Sequence, residues 1–543
     1  MLWGGMVLLF HAELPASPMS SDSSVTMNEL FLAELTGRIK CKILKEKKIN
    51  NTTVEVDHNF AYDYCVEYDN EHVTLKTNNR ETAIWLIKQY IRHLGDTLKN
   101  VDVHDLAPSI IDFENEPFGN FDFVYREPHF KPNLEDRFRP VSGANSVEEY
   151  WDLWGHNLYK ELENSMLLNP VFIKGRTQQI CFTENVLLNN VSIYIDKRAN
   201  SFRSDMLRTG RFVIMPLDNM TACDCPQCRK LGNTRTHATP AIVDFLDRLA
   251  DRFPEYNFYT AAYHSTMTPP RRKPKHRIGG VLVSSCDLPK GVELDLKNSH
   301  ERDFLRTSLE WKKFTDTLFI WDYAANFNDF LTPLPILYVL KKNLNFFKDC
   351  GITGIFLQGS GYDYSPFDDV KTFAATALMI DNRLDVDDLC RRYFDQYYPV
   401  AAELLSDYYL SLEKTMEHRK IPYHLHGNVE NVISSYFDTD VFFDFYRKLG
   451  LLLTEEKLNN DEKSRLERLY TALSFTWLQI AFYQQTGSCD ITNTNGRTLG
   501  ITPEIETVIK QLSQHNLYQI INYREKDGYL GKYLKYWQTY ALR

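Results

Sequence analysis

The residues best suited to chemistry stand at the ends of short apolar runs. Arg126 and Glu127 follow "FDFVY", and Trp154 and His156 lie in "YWDLWGHN". Asp218 and Asn219 follow "RFVIMPL", and Tyr263 and His264 follow "NFYTAA". Trp321, Asp322 and Tyr323 end "TLFIWDY", and Gln358 ends "GITGIFLQ". Gathered around one mouth, these carboxylates, amides and the arginine would serve the hydroxyls of a polyhydroxylated ligand, while the flat rings would cover the apolar face of a sugar. Taken singly, each could equally cap the end of a strand. In the last run the polar Gln358 has an obvious use in such a mouth and its neighbour Leu357 does not.

A second constellation is "CDCPQC" (223–228), which places Cys223, Cys225 and Cys228 within six residues, just after Asp218. That spacing suits zinc or another soft metal with a fourth ligand from elsewhere, His237 being a candidate. A disulfide, or reduced cysteines in a loop, would give the same spacing. Ten cysteines in 543 residues do not make a disulfide scaffold.

The elements that would position these groups change character along the chain. "YDYCVEYDNEHVTLKTN" (62–78) predicts a hairpin turning at Asp69-Asn70. "RETAIWLIKQYIRHLG" (80–95) predicts a helix, with Ala83, Ile84, Ile87, Tyr90, Ile91 and Leu94 at helical spacing. Together they define a small α+β unit over 28–105. From 118 to 365, eight short apolar runs alternate with helical stretches: 121–128, 150–157, 178–184, 211–218, 257–264, 279–285, 317–323 and 351–359. That rhythm is the pattern of an α/β (β/α)8 TIM barrel, whose chemistry sits at the C-terminal ends of the strands. Residues 366–543 read as a helical domain, with amphipathic spacing over 385–419 and 461–485.

Composition narrows the partners. The net charge of −10 offers no basic stripe for nucleic acid, and "PPRRKPKHR" (269–277) is the one basic cluster. No stretch reaches the roughly 18–20 apolar residues that span a bilayer, so no integral membrane segment is expected. The start, "MLWGGMVLLFHAELPASPMSS", has the apolar patch of an export signal without its positive n-region.

Several of these stretches together resemble a bacterial family, the domain of unknown function 4838, some members of which form glycoside hydrolase family 163, endo-β-N-acetylglucosaminidases acting on N-glycans. The resemblance runs from about 55 to about 415 through "FVYREPHF", "LWGHNLYK", "QQICFTENVLLNNVSIYI", "PLDNMTACDCPQC", "FYTAAYHSTMTPP", "LFIWDYAANFNDFLTPLP" and "GITGIFLQGSG". It implies a barrel, an oligosaccharide or glycan substrate, and a periplasmic or secreted location. It also implies substrate-assisted cleavage, in which the 2-acetamido oxygen attacks the anomeric carbon while carboxylates orient the amide and protonate the leaving oxygen. On that basis Asp218 is the polarising carboxylate, and Arg126, His156, Tyr263, Trp321, Tyr323 and Gln358 hold substrate. No cofactor is required; a structural zinc at the cysteines is the one metal expected. Two positions depart from the family pattern: Leu217 replaces an Asn, and Leu357 replaces the Glu that would act as general acid. Asp322, Asp363 or Glu127 would then have to supply the proton. Otherwise the protein binds glycans without cutting them, or uses the barrel only as a scaffold.

Overall fold

The computed structural model describes residues 27, 29–31, 33, 52–69, 72–97, 106–135, 139–167, 173–174, 178–202, 210–489 and 502–514. The signal-like start and the turn residue Asn70 lie outside them.

Alternating β-branched and polar residues build the first sheet. Strands β1 (Thr52–Val56), β2 (Tyr64–Asp69), β3 (His72–Thr77) and β4 (Phe118–Gly119) lie in the order β1-β3-β2-β4. β2 and β3 form the expected antiparallel hairpin, Asp69 facing His72, and β1 adds to β3 in parallel. Helix α1 (Arg80–Thr97) covers this sheet with Ala83, Leu86, Ile87, Tyr90 and Ile91, all buried against Val54, Val66 and Leu75.

The second sheet is parallel and positions the site. Its strands are β5 (Tyr125–His129), β8 (Arg211–Val213), β9 (Asn257–Ala262), β10 (Gly280–Ser284), β11 (Leu318–Tyr323) and β12 (Gly354–Gln358), in the order β5-β12-β11-β10-β9-β8. Between them in sequence lie β6 (Ile173–Lys174) and β7 (Gln179–Ile180), a separate antiparallel pair. The first and last strands of the alternating region are thus hydrogen-bonded to each other, β5 to β12. The sheet curls: Tyr125 of β5 stacks on Phe319 of β11, ring centres 5.2 Å apart, and Trp151 packs on Tyr259 of β9 at 4.7 Å.

Among the described residues the sheet has six strands, not eight. The run 150–157 contributes a single parallel bridge, Asp152 to Phe212, and the run 178–184 leaves the sheet for the β6–β7 ribbon. What spans the gap between β5 and β8 is the segment from Asn145 to Asp152. Asn145 N donates to the Arg126 carbonyl on β5 at 2.7 Å, and Asp152 N donates to the Arg211 carbonyl on β8 at 2.8 Å. Between these anchors runs a single helical turn, Val147–Tyr150, with Ser146 as its N-cap. Val147 and Trp151 fill the concave core where further strands were expected.

Side chains alternate across these strands. Tyr125, Leu282, Phe319 and Phe356 face the concave core, whereas Val281, Val283, Ile320, Ile355 and Leu357 face the outer layer of helices. Two glycines on the concave side make room for rings. A Cβ at Gly354 would lie 2.6 Å from Phe319, and one at Gly280 would lie 2.2 Å from Tyr259.

The outer helices follow the sequence spacing: α2 (Thr239–Arg252), α3 (Ser299–Trp311), α4 (Leu337–Asp349) and α5 (Asp368–Ile380). The amphipathic stretch 385–419 is two helices, α6 (Val386–Tyr397) and α7 (Ala402–Arg419), separated at Tyr398-Pro399, where proline can neither donate nor continue the helix. After them come α8 (Thr439–Leu452) and the long α9 (Asn460–Thr486). Buried carboxylates pin helix starts to other helices. Glu413 accepts the N–H groups of Ile336, Leu337 and Tyr338 at the start of α4, and Glu462 accepts those of Val400 and Ala401 before α7.

Candidate active site at the mouth of the curled sheet

Strand register sets the geometry of the mouth. His129, Gln358 and Tyr323 stand level with one another at the C-terminal ends of β5, β12 and β11, and Glu127, Phe356 and Trp321 form the level below. Because side chains alternate, these residues share the concave face and their neighbours in sequence point away.

Trp321 Nε1 donates to Gln358 Oε1 at 2.6 Å. Indole can only donate, so the amide orientation is fixed and its NH2 remains for a ligand. Trp154 approaches Phe356 and His129, and the backbone at Gly155 runs past Trp321 close enough that a Cβ would be 3.7 Å from its ring. The next residue, His156, donates through Nδ1 to the Pro216 carbonyl at 2.7 Å, which leaves Nε2 facing Asp218 Oδ1 at 3.9 Å. The Asp218 side chain is 61% exposed. Tyr263 completes this group: its ring lies 5.7 Å from His156 and its hydroxyl feels the Asp218 carboxylate. Burial, then the Asp218 charge, hold the Tyr263 hydroxyl well above its ordinary pKa, and the exposed Asp287 adds to the shift. Tyr323 shares a hydrogen bond with Ser284 at 3.1 Å, and burial raises its pKa too. The Gly155 backbone, between Trp154 and His156, therefore lies between the Trp321–Gln358 pair and the group of His156, Asp218 and Tyr263. His264 lies tilted against Tyr263 at the start of a short turn, and Asn219 spends its side chain on Thr221 and Gln179.

Three sequence expectations are corrected by the same alternation. Arg126 faces outward: its guanidinium donates to the carbonyls of Gly143 and Phe123 and lies 4.3 Å from the centre of the Phe121 ring. Burial pulls its pKa down to about 10, and its guanidinium is spent on these backbone carbonyls beside Phe121. Asp322 also faces outward, accepting from Lys290 Nζ at 2.9 Å and from the Ser285 hydroxyl. Both members of that pair are sheltered, with side chains 8% and 14% exposed. Leu357 is 2% exposed in the outer core, so a glutamate there would project among helices instead of into the mouth.

Glu127 does face inward but is sealed. It is 0% exposed, accepting from the Tyr125 hydroxyl and from His129 Nδ1 at 3.0 Å. Asp363 follows the loop after β12, its N–H donating to the Ser360 carbonyl at 3.2 Å.

Sequence reasoning missed several groups at this mouth. Asp287 stands three residues beyond β10, and the exposed Tyr362 donates to the exposed Glu148. His129 is the last residue of β5, two beyond Glu127 on the same face. Period-two counting from Tyr125 would have found His129; Asp287, Tyr362 and Glu148 lie on loops and carry no such signal.

The cysteine cluster lies beside the Asp218 loop. The four sulfurs of Cys181, Cys223, Cys225 and Cys228 lie within 4.8 Å of one another. Cys181 comes from the third apolar run, where sequence spacing did not connect it with the others. His237 is not part of the group; its Nδ1 lies 3.3 Å from the Thr268 hydroxyl, and burial lowers its pKa.

Fold and mouth together define an α/β protein whose parallel strands end in an aromatic and polar recess. Residues 123–410 match the family described as Domain of unknown function (DUF4838), and the chain belongs to that family. Comparison with curated proteins gives no match. Among solved structures the chain is similar to one described as a GH138 enzyme targeting pectin rhamnogalacturonan II, at 10% identity and a TM-score of 0.39, over 90% of this chain and 71% of that one. Among the described residues, no helix is long and apolar enough to cross a membrane.

Proposed function

We propose that this chain is a glycoside hydrolase-like protein acting on glycans, those containing N-acetylglucosamine first among them, with Asp218 as its working carboxylate. The carrying observation is the exposed Asp218 side chain, faced by His156 Nε2 at 3.9 Å with the Tyr263 ring beside that imidazole, His156 following the Gly155 backbone that passes Trp321 and its partner Gln358. A sugar ring laid on the indoles would place its hydroxyls against the Gln358 amide. Asp218 would then orient a 2-acetamido group toward the anomeric carbon, with the Tyr263 hydroxyl supporting the same atoms. The proton for the leaving oxygen needs a second carboxylic acid. Asp287 is our choice, because it stands exposed just beyond the C-terminal end of β10, whereas Glu127 is sealed and Asp322 is paired on the outer face.

The sealing of Glu127 favours a second reading, a protein that binds glycans without cutting them. The two separate in one experiment: incubation with N-glycans and aryl β-N-acetylglucosaminides, with products read by mass spectrometry and binding by calorimetry. Turnover that falls by about 10²–10⁴ in Asp218→Asn and in Asp287→Asn supports hydrolysis. Heat of binding without product supports the binding reading. Turnover unchanged in Asp218→Asn removes that residue from the mechanism.

A further inference from the structure

We propose that Cys181, Cys223, Cys225 and Cys228 bind one zinc ion, and that this ion clips the Asp218 loop to the segment that precedes α-helical residues 185–202. Zinc bound by four thiolates at about 2.3 Å holds its sulfurs at the corners of a tetrahedron, with edges of about 3.8 Å. Cys181 Sγ lies 3.7 Å from both Cys225 Sγ and Cys228 Sγ, and all four sulfurs fall within 4.8 Å. A disulfide would need about 2.05 Å between one pair of sulfurs, leaving the other two sulfurs crowded against it.

The surroundings fit a bound thiolate group. The Thr183 hydroxyl lies 3.3 Å from Cys228 Sγ and 3.8 Å from Cys225 Sγ, and the Cys228 N–H donates to Cys225 Sγ. Such donors are what outer partners of a metal site supply. Cys181, Cys223 and Cys228 are buried, Cys225 half-buried. Loading is balanced: Zn²⁺ enters, four thiols become thiolates, and four protons leave.

The location gives the ion a structural task. Cys223 stands five residues beyond Asp218, and Cys181 stands two beyond Gln179. The Gln179 side chain already holds the Asp218 loop from the same side. Its amide oxygen accepts the Leu217 N–H at 2.8 Å, and its NH2 donates to the Leu217 carbonyl at 3.1 Å and to Asn219 Oδ1 at 3.0 Å. The metal would therefore tie together the two segments that Gln179 joins by hydrogen bonds.

The test uses the full chain, purified without added metal. Elemental analysis and native mass should give one zinc per chain, stable to gel filtration with a weak chelator. Cobalt exchanged into the site should show the thiolate-to-metal charge transfer and tetrahedral visible bands of four sulfur ligands. Cys181→Ser and Cys228→Ser should lose the zinc, while Cys350→Ser, which alters a buried cysteine elsewhere, should keep it. Removing the metal should open 217–235 to limited proteolysis. If the serine variants do not fold, the wild-type native mass still decides. A chain without metal that carries four reactive thiols at these positions, or a mass lowered by disulfide formation, overturns the proposal. Iron in place of zinc would overturn the zinc assignment.

Discussion

Replacing Lys290 by methionine tests whether Asp322 belongs to the frame or to the mouth. Lys290 Nζ donates to Asp322 Oδ1 at 2.9 Å, to the Ser285 hydroxyl at 2.6 Å and to the Ser285 carbonyl at 2.8 Å. Methionine keeps most of the side-chain volume and removes the charge. Asp322 would then stand 14% exposed with the Ser285 hydroxyl as its remaining donor among these contacts. Breaking a buried pair on one side costs about 3–5 kcal/mol, and the retained hydroxyl places this case near about 3 kcal/mol. Lys290→Met with Asp322→Leu removes both charges and should recover to within about 1 kcal/mol of the parent.

Denaturant midpoints followed by tryptophan fluorescence should show that deficit in Lys290→Met and its recovery in the double variant. No deficit in Lys290→Met, or a double variant as unstable as Lys290→Met, would refute the buried-pair reasoning. So would an Asp322→Asn variant that keeps its midpoint and loses glycan turnover.

Two further perturbations address the same architecture. Leu357→Glu should not create an acid in the mouth, because the side chain enters the outer core; it should lower stability by several kcal/mol, read from the same midpoints, and gained turnover would show the face assignment to be wrong. Glu413→Ala leaves three N–H groups at the start of α4 without their acceptor and should cost about 3 kcal/mol or more, with Glu413→Gln retaining part of it.

Much of the outer frame was legible because it depends on local pattern. The β2–β3 hairpin, α1, α2, α4 and α9 all follow periodicities of two or 3.6 that single stretches display. The concave sheet was legible where a run was long and apolar, as in β9 to β12. It failed at 150–157, whose tryptophans pack into the concave core with a single bridge to β8, and at 178–184, which pairs with β6 outside the sheet. The site was legible by type but not by direction. "WDY" gives three chemically plausible groups, and only the strand's alternation decides that Trp321 and Tyr323 face the mouth while Asp322 faces Lys290. Cys181 was invisible as a partner because the long stretch between it and Cys223 carries no spacing rule.

Glu127 shows how the same alternation can bury a carboxylate without making it an acid for substrate. Tyr125, Glu127 and His129 are successive inward residues of β5, so the carboxylate meets a hydroxyl below and an imidazole above along one strand. The imidazole is held at the joint between the first and last strands, for the His129 carbonyl accepts the N–H groups of Gly359 at 3.2 Å and Gly361 at 3.0 Å. Those glycines open the loop that carries Tyr362, whose ring approaches His129 edge-on at 6.3 Å. The carboxylate therefore sets the imidazole, and the backbone of that histidine sets the loop. A buried carboxyl group is tolerated here because two donors along its own strand satisfy it, and its influence reaches the mouth through His129 and Tyr362.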